Sequence, residues 1–269
     1  MQGPKSTLPP LPQPEEAVVQ IPLSELYPFP NQPFKIRDDD AMRGMLESVR
    51  EYGVLTPAIV RSCETGGYEI VAGHRRKHAS EVAGLETMPA IVREMDNDTA
   101  IILMVDSNIQ RENVLPSEKA AAYKMKMDAI KRKGQRTDLT LYPLETKLDA
   151  ATLVGQEYGE SRAQVFRLIR LTHLIPEIQQ MVDNGKVALH SAVELSYLPP
   201  EEQSLIAEVI NSDHTIPTLQ QAQQMKKASQ KGGLDRDAVL SIMTADTRTQ
   251  AEELPPGPPP VNSRPRDQP

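Results

Sequence analysis

The sequence predicts a mixed α+β domain followed by an all-α domain, and two observations carry that prediction. Between residues 17 and 113, short apolar and β-branched runs alternate with stretches of helical period, as in a domain that packs helices against a sheet. From Pro116 to Thr244 the apolar residues recur with helical spacing almost without a break. The proline-rich ends, residues 1–16 and 251–269, are predicted to be disordered.

Glycine and proline divide the mixed domain into its elements. A short strand is predicted at residues 17–23, and the prolines that follow impose an extended loop through FPNQPF. Acidic residues 38–40 then begin a helix that Gly53 closes. The other predicted elements are strands at 57–61 and 68–72, a helix at 74–82, a strand at 88–92, and a helix that Asp96 or Asp98 caps and that runs to Gln110.

The helical part is predicted to contain a first domain at residues 114–213 and a further segment at 214–250. A loop is predicted at 134–146, and proline or glycine begins or ends most of the helices. The predicted helices lie at residues 117–133, 148–157, 161–174, 176–184, 189–197, 200–211, 217–230 and 234–244.

Composition excludes several classes of protein. The sequence has no run of about 18 apolar residues, so no transmembrane helix is expected. The N-terminus lacks the apolar core of a signal peptide. The single cysteine, Cys63, permits neither an intrachain disulfide nor a cysteine-based zinc site. We therefore expect a cytoplasmic protein, and because no nucleophile–base pair is readable, the catalytic residues stay unknown.

The tetrapeptide Gly73-His74-Arg75-Arg76 is the first candidate site. A glycine between a strand and a helix allows a ligand close to the backbone, and the first N–H groups of that helix carry partial positive charge. The two arginines add guanidinium groups that match phosphate oxygens. The tetrapeptide therefore predicts a phosphate site, with surface ion pairs as the alternative. It is not a Walker A loop.

A second polar cluster, residues 107–113 (SNIQREN), follows at the end of a predicted helix. Asn108 is a candidate to hold a phosphate or a metal-bound water, and Arg111 is a candidate to neutralise charge. Ordinary helix termination would give the same composition. Two such clusters in order nevertheless indicate an anionic ligand held between them.

Residues 149–171 predict a helix-turn-helix, because two short helices flank a tight turn at Gly159. Arginine and glutamine read guanine and adenine edges, and serine binds phosphate. Residues 111–175 carry 12 basic and 8 acidic side chains in a chain of net charge −7, which favours a polyanionic partner. A plain helical hairpin is the alternative. The candidate DNA-binding residues are Ser161, Arg162, Gln164, Arg167 and Arg170.

With these motifs in order, the chain resembles the ParB/RepB-type partition proteins of bacteria and mobile elements. The resemblance runs from Val19 to Leu198, and residues 117–147 resemble plasmid and conjugative versions more than chromosomal ones. It implies an N-terminal ParB/sulfiredoxin-like domain and an all-α helix-turn-helix domain that reads a palindromic site on double-stranded DNA. Its markers are NQP at 31–33, GVLTP at 53–57, VAGHRRKHA, LETMPAIVR, NIQREN, QEYGESRAQVFRLIRL and LIPEIQQMVDNGKVAL.

The resemblance also implies a nucleotide switch. Members of this family bind CTP with Mg²⁺ in the N-terminal domain, and the nucleotide closes a homodimer into a clamp that slides on DNA. They often work with a ParA-type ATPase, which implies a protein associated with the nucleoid or a plasmid. The residues that match the nucleotide site are Gln32, Gly73, His74, Arg75, Arg76, Asn108 and Arg111, with Asn108 also at the metal end.

Two positions depart from the family pattern. Ser107 stands where a glutamate usually precedes the asparagine, and His74 stands where a glutamate is common. Nucleotide binding is expected to survive the loss of that first carboxylate, whereas CTP hydrolysis stays an open question. Sulfiredoxin chemistry needs a cysteine at the position of Gly73 and is rejected. A transcription regulator of a mobile element that binds DNA without a nucleotide stays as the alternative function.

Overall fold

The computed structural model describes residues 17–111, 113–135 and 149–252. The arm predicted at 1–16, most of the loop predicted at 134–146 and most of the tail predicted from residue 251 lie outside these residues. The chain forms two compact units, and the boundary falls between Thr172 and His173. The first unit contains the predicted mixed domain together with the helices that follow it up to Thr172. Within the described ranges, no helix has the length and apolarity needed to cross a membrane.

The first unit is built on one mixed sheet. Its strands are β1 (Val18–Pro22), β2 (Leu26–Pro28), β3 (Ala58–Ser62), β4 (Tyr68–Ala72) and β5 (Thr87–Val92). They lie in the spatial order β1-β5-β3-β4-β2. β1 is antiparallel to β5, β5 is parallel to β3, β3 is antiparallel to β4, and β4 is parallel to β2. Four of these strands were predicted; β2 was not, because a three-residue strand beside a proline carries no period of its own.

Six α-helices complete the first unit within the described ranges. They are α1 (Asp40–Tyr52), α2 (His74–Ala83), α3 (Asn97–Ile109), α4 (Pro116–Gln135), α5 (Ala150–Tyr158) and α6 (Arg162–Arg170). Single turns of 3-10 helix lie at Leu23–Glu25 and Leu171–His173. The helix predicted to continue to residue 174 therefore ends as α6 at Arg170. Gly134 and Gln135, predicted as loop, form the last residues of α4.

Local capping explains where the helices begin. Asp39 accepts a hydrogen bond from the Met42 amide at 2.8 Å and caps α1. Asp96, rather than Asp98, caps α3 by accepting from the Thr99 amide at 2.7 Å. Asp98 is instead buried and pairs with Arg132 of α4 at 2.8 Å. The sequence could not choose between the two carboxylates, because only the docking of α4 supplies the partner that buries Asp98.

The core is mainly aliphatic, but it also contains the buried aromatic side chains of Phe29, Phe34 and Tyr123. One cluster includes Ile70 of β4 and Met88 of β5, both fully buried. A second cluster includes Val71 of β4 and Met104 of α3, also fully buried. Since Ile70 and Val71 are neighbours in one strand, β4 is covered on both faces. The strand that leads into Gly73 is therefore held rigidly between two packed layers.

A buried charge network joins α3, α4 and α5. Lys126 of α4 is only 1% exposed, and its ammonium group contacts Asp106 of α3 and Glu157 of α5. The Tyr158 hydroxyl lies 2.8 Å from the same nitrogen, and the Tyr158 ring stacks on that of Tyr123 with centroids 5.4 Å apart. Burial raises the pKa of Tyr158. The network ties the helix that ends in the second polar cluster to the first helix of the helix-turn-helix.

The second unit is helical throughout its described residues. Its helices are α7 (Pro176–Asp183), α8 (Leu189–Leu195), α9 (Pro200–Asp213), α10 (Leu219–Gly232) and α11 (Arg236–Glu252). The buried side chain of Gln203 in α9 holds the start of this unit in place. Its amide nitrogen donates to the carbonyls of His173 and Leu198 at 3.1 and 2.9 Å. Its amide oxygen accepts from the Ile175 amide at 2.8 Å. The five helices predicted from residue 176 onward are all present.

Candidate functional site

The two predicted polar clusters line one cavity in the first unit. The cavity has a volume of about 440 Å³, within the range of about 300–1,000 Å³ that is usual for small-molecule sites. It lies where the end of β4, the first turn of α2 and the end of α3 meet. Its lining includes five of the seven predicted nucleotide-site residues, namely Gly73, Arg75, Arg76, Asn108 and Arg111.

Gly73 permits this geometry by its backbone conformation. Its φ is +126°, and a Cβ at this position would lie 2.8 Å from the Cβ of Ala58. A side chain would therefore be both strained and in collision with β3. The missing side chain lets α2 begin directly against the sheet, with the unpaired N–H groups of its first turn beside the cavity.

Arg75 and Arg76 are held in fixed positions at the start of α2. The Arg75 guanidinium contacts both carboxylate oxygens of Asp39, at 2.6 and 3.3 Å. Arg76 donates to the Thr56 and Pro57 carbonyls at 2.8 and 2.6 Å. The hydrogen bond from Arg75 lowers the pKa of Asp39. Arg75 nevertheless keeps a buried Nε without a hydrogen-bond partner, which is an unsatisfied donor in the wall of the cavity.

Positive charge accumulates where the clusters meet. Burial lowers the pKa of Arg111, and the nearby charge of Arg75 lowers it further. Burial also lowers the pKa of Arg76. A lowered pKa means that the protein disfavours the charged form of a guanidinium, so a bound anion would relieve an existing electrostatic cost. The arrangement therefore suits a compact anion such as a polyphosphate.

The loop before α1 adds residues that the sequence had not indicated as a site. Lys35 and Arg37 line the cavity with Asp39 and Glu118. The Lys35 amide and the Arg37 guanidinium both donate to the Glu118 carboxylate at 3.0 Å. The only signal in the sequence was the basic pair at positions 35 and 37, directly after a proline-rich loop. The lining thus has five cationic and two acidic side chains, and both acids are paired with arginines.

Asn108 lies in the cavity wall, but the lining does not form a metal site of its own. Its amide nitrogen donates to the Met104 carbonyl at 2.7 Å, so its amide oxygen is the atom left for a ligand. The Ser107 hydroxyl also donates to that carbonyl, at 2.9 Å. Within the described residues, no group of three or more His, Cys, Asp or Glu side chains could hold a metal ion. A divalent cation here would depend on oxygens brought by the ligand.

His74 and Gln32 do not line the cavity. His74 is 7% exposed, and its Nε2 accepts a hydrogen bond from the Phe29 amide at 3.2 Å. Burial, and then the charge of Arg111, lower the pKa of His74 to about 4. The neutral imidazole thus anchors the loop that precedes the cavity wall. Gln32 lies in that loop, and its backbone N–H donates to the Phe29 carbonyl at 3.3 Å.

The second predicted site is a helix-turn-helix formed by α5 and α6. Gly159 has a φ of +70° and ends α5. A Cβ on Gly155 would lie 2.5 Å from the Glu160 carbonyl oxygen, so the turn folds tightly over a glycine within α5. Ser161 caps α6 by accepting from the Gln164 amide at 3.2 Å. Five apolar side chains of the two helices are buried, namely Ala150, Ala151, Val154, Val165 and Ile169.

The predicted DNA-binding side chains lie along α6. Ser161, Arg162, Gln164 and Arg167 are exposed, and Arg170 is half-buried. Arg162 donates from Nε to Asp149 at 2.6 Å, and its guanidinium lies 4.8 Å from the centre of the Phe166 ring. The sequence did not single out Phe166, which is 39% exposed. The feature of the sequence that could have identified Phe166 was its position, since it is a large aromatic residue on the polar face of an amphipathic helix.

The chain is similar to known proteins both in sequence and in structure. The family models described as ParB N-terminal domain and ParB HTH domain match residues 10–109 and 145–231. Stage 0 sporulation protein J of Bacillus subtilis (strain 168) is 36% identical over 233 residues, which cover 84% of this chain and 76% of that protein. Chromosome-partitioning protein ParB of Myxococcus xanthus (strain DK1622) is 29% identical over 90% of this chain and 75% of its own length.

Two solved structures of a C-terminally truncated chromosome-partitioning protein ParB from Caulobacter crescentus are also similar. The form complexed to the centromeric parS site is 25% identical, covers 78% of this chain and 99% of that chain, and has a TM-score of 0.45. The form complexed with CTP-gamma-S is 29% identical, covers 73% and 99%, and has a TM-score of 0.33.

Proposed function

Because this chain belongs to the ParB family, we propose that it is a sequence-specific DNA-binding partition protein whose cavity binds CTP. Two curated relatives named after chromosome partitioning or sporulation support the partition role. The observation that carries the nucleotide part is the cluster of Arg75, Arg76 and Arg111, which converges on one cavity and includes an unsatisfied buried donor.

The nucleotide part of the proposal follows from charge and shape. A triphosphate would lie against the first turn of α2, where N–H groups and Arg75 and Arg76 can bind its oxygens. Arg111 would neutralise charge from the opposite side. The Asp39 and Glu118 carboxylates are already paired with Arg75 and Arg37, so they would not repel the ligand strongly. The choice of cytosine rests on family membership alone.

We propose that the nucleotide is bound with Mg²⁺ but hydrolysed slowly. Mg²⁺ neutralises triphosphate charge and is commonly held by phosphate oxygens, water and few protein ligands. Asn108 would be the protein contact, through its amide oxygen. The position before it is Ser107, whose hydroxyl is bonded to its own helix. With both carboxylates of the described lining engaged by arginines, no side chain there is placed as a general base.

The DNA part of the proposal assigns recognition to α6. The second helix of a helix-turn-helix enters the major groove, where residues near its N-terminus contact base edges. Arg162 and Gln164 occupy that first turn and are exposed. We propose that they read bases, that Ser161 and Arg170 bind backbone phosphate, and that Arg167 contributes to both. A palindromic site would then require a homodimer.

Two finer parts of the proposal rest on family membership. The nucleotide would close the homodimer into a clamp on DNA, and a ParA-type ATPase would be the partner in segregation. The buried network around Lys126 gives a physical route for the first of these, because it joins α3, at the cavity, to α5 of the helix-turn-helix.

The test measures CTP binding and DNA binding on the same variants. Calorimetric titration with CTP and Mg²⁺ should show binding to the wild-type chain and none to Arg76→Ala. Arg43→Ala removes an exposed arginine of α1 outside the cavity lining and is the matched control. Both variants should retain affinity for a duplex selected from a random library. If Arg76→Ala lost DNA recognition as well, the division of work between cavity and α6 would be wrong.

Phosphate release on the selected duplex tests the slow-hydrolysis part. Binding without turnover would support the role assigned to Ser107, and fast turnover would contradict it. A wild-type chain that binds the selected duplex but no nucleotide would replace this proposal by the alternative function, a nucleotide-independent transcription regulator.

A further inference from the structure

Arg162 is held from two sides at the start of α6. On one side, Asp149 accepts its Nε hydrogen bond at 2.6 Å. On the other side, the ring of Phe166, one helical turn later, lies 4.8 Å from the guanidinium carbon. The Arg162 side chain is nonetheless 58% exposed. An exposed arginine is ordinarily free to rotate, so this double restraint is unusual for a surface side chain.

Asp149 is itself fixed in place. One of its oxygens caps α5 by accepting from the Thr152 amide at 2.8 Å and from the Thr152 hydroxyl at 2.7 Å. Its other oxygen accepts from Arg162. These bonds, led by the Thr152 hydroxyl, lower the pKa of Asp149 to about 2, so the carboxylate stays charged at neutral pH. The anchor for Arg162 is therefore a charged group that the first helix of the motif holds rigidly.

We propose that Asp149 and Phe166 are positioning residues that fix the Arg162 guanidinium for reading one guanine, so that Phe166 contributes to base specificity through Arg162. The proposal rests on the DNA-binding function proposed above. It adds two residues to that function, neither of which was among the candidates for contacting DNA.

The atoms engaged support this assignment. Asp149 takes the Nε hydrogen of Arg162, which leaves the two terminal nitrogens for an outside acceptor. Those nitrogens can form the bidentate pair with guanine O6 and N7 in the major groove. The Phe166 ring lies 4.8 Å from the guanidinium carbon, within the distance of a cation–π contact. A side chain fixed in this way loses less conformational entropy when it binds than a mobile one does.

The exposure of Phe166 points in the same direction. A phenylalanine that is 39% exposed loses hydrophobic stabilisation, and its ring lies beside the guanidinium of Arg162. A ring in the first two turns of a recognition helix also lies near the major groove in such motifs. Direct contact of the ring with a thymine methyl group is the competing explanation, and the experiment separates the two.

The experiment measures base discrimination position by position. A duplex selected from a random library by the wild-type chain is varied at each base pair, and the loss of affinity is recorded for each change. Arg162→Ala then identifies the base pair that Arg162 reads, because discrimination at that pair should fall by about tenfold or more. A wild-type chain that selected no sequence would overturn the proposed function and this inference together, whereas selection with no loss of discrimination in Arg162→Ala would overturn only the inference.

Phe166→Leu and Asp149→Asn test the positioning role. Leucine keeps the apolar volume and asparagine keeps the helix cap, so the fold is preserved in both. Each should reduce discrimination at the Arg162 base pair by about threefold and leave other positions and nonspecific binding unchanged. Phe166→Tyr keeps the aromatic ring and should show the same discrimination at the Arg162 base pair as the wild type. Tyr52→Leu, which removes an exposed ring from α1, is the matched control.

The combined variant decides between positioning and direct contact. In the Arg162→Ala background, Phe166→Leu should cause no further loss, because its effect passes through Arg162. An additive loss, or a loss at a different base pair that replacement of thymine by uracil reproduces, would overturn the proposal in favour of methyl contact. Tighter binding by Asp149→Asn would also overturn it, since Asp149 would then compete with guanine rather than position the arginine.

Discussion

The cavity and the recognition helix both use arginines, but they differ in how far those arginines are buried. Arg75 and Arg76 are anchored by Asp39 and by backbone carbonyls at the start of α2, and burial lowers the pKa of Arg76. Arg162 and Arg167 stand on an exposed helix face. The cavity concentrates positive charge in a small volume, whereas α6 spreads it along a line.

The two arrangements suit different anions. A compact polyphosphate carries several charges within a few ångströms and is bound best by convergent, desolvated donors. A DNA backbone presents charges at regular intervals and is bound by exposed cations whose effect depends on salt. The same residue type therefore serves two functions, and the burial of each arginine tells which one.

The largest expected effect concerns the network that joins the two regions. Lys126→Ala should lower the free energy of unfolding of the first unit by about 3–5 kcal/mol, because it leaves a cavity where the fully buried stem packed and removes the ammonium contacts to Asp106, Glu157 and Tyr158. Urea denaturation would measure the change. Lys124→Ala removes an exposed lysine of the same helix and should have almost no effect. Equal stability of the two variants would show that the regions are not tied together at Lys126.

The two glycine turns should differ in their tolerance of a side chain. Gly73→Ala should cost about 3 kcal/mol, because positive φ adds to a collision with Ala58. Gly159→Ala should cost about 1 kcal/mol, because its φ is also positive but nothing lies within 4 Å of the added Cβ. Thermal denaturation of the pair would test this. Similar losses would mean that the crowding at the cavity is not what requires Gly73.

A pH change should weaken the cavity region before the helix-turn-helix. His74 has a pKa of about 4, below its ordinary value of 6.5, so the stability of the folded state is full above pH 6.5 and falls as pH drops towards 4. The loss should reach about 2 kcal/mol at pH 5. Asp149, with a pKa of about 2 against 3.8, loses its contribution only as pH falls below 3.8.

His74→Gln would test the assignment, because glutamine keeps an acceptor but does not titrate. Its urea midpoint should change less between pH 7 and pH 5 than that of the wild type. His190→Gln, at an exposed position of α8, should keep the full wild-type change. If all three proteins changed equally, the pH dependence would come from another group.

The smallest expected effect is on salt dependence. Arg167→Ala should reduce the slope of log affinity for DNA against log salt by about 1, since one phosphate contact and its counterion are lost. Arg76→Ala should leave that slope unchanged, because the cavity does not face the duplex in the proposed division of work. Binding titrations at several salt concentrations would measure both. A reduced slope for Arg76→Ala would remove the contrast between the two sets of arginines.

Local signals predicted much of the molecule. The strand–glycine–helix order at Gly73 and the turn at Gly159 were readable because backbone conformation and capping depend on near neighbours. The basic charge of residues 111–175 and the arginines of the second helix indicated DNA because composition can be read directly from the sequence. The sequence did not decide whether Asp96 or Asp98 caps α3, since either carboxylate satisfies the local preference for a helix cap. The α6 end at Arg170, four residues before the predicted one, shows how weakly local periodicity marks a boundary.

Local sequence patterns predicted four of the five strands, the glycine positions at Gly73 and Gly159, and most residue types of both sites. Only the tertiary structure decided which side chains share a site. It brought Lys35 and Arg37 into the cavity, turned His74 to the Phe29 amide, and placed Asp149 and Phe166 against Arg162. The physical reason is that propensity and capping act over a few residues. A hydrogen bond between residues 45 positions apart, such as that from Phe29 to His74, exists only after the chain has packed.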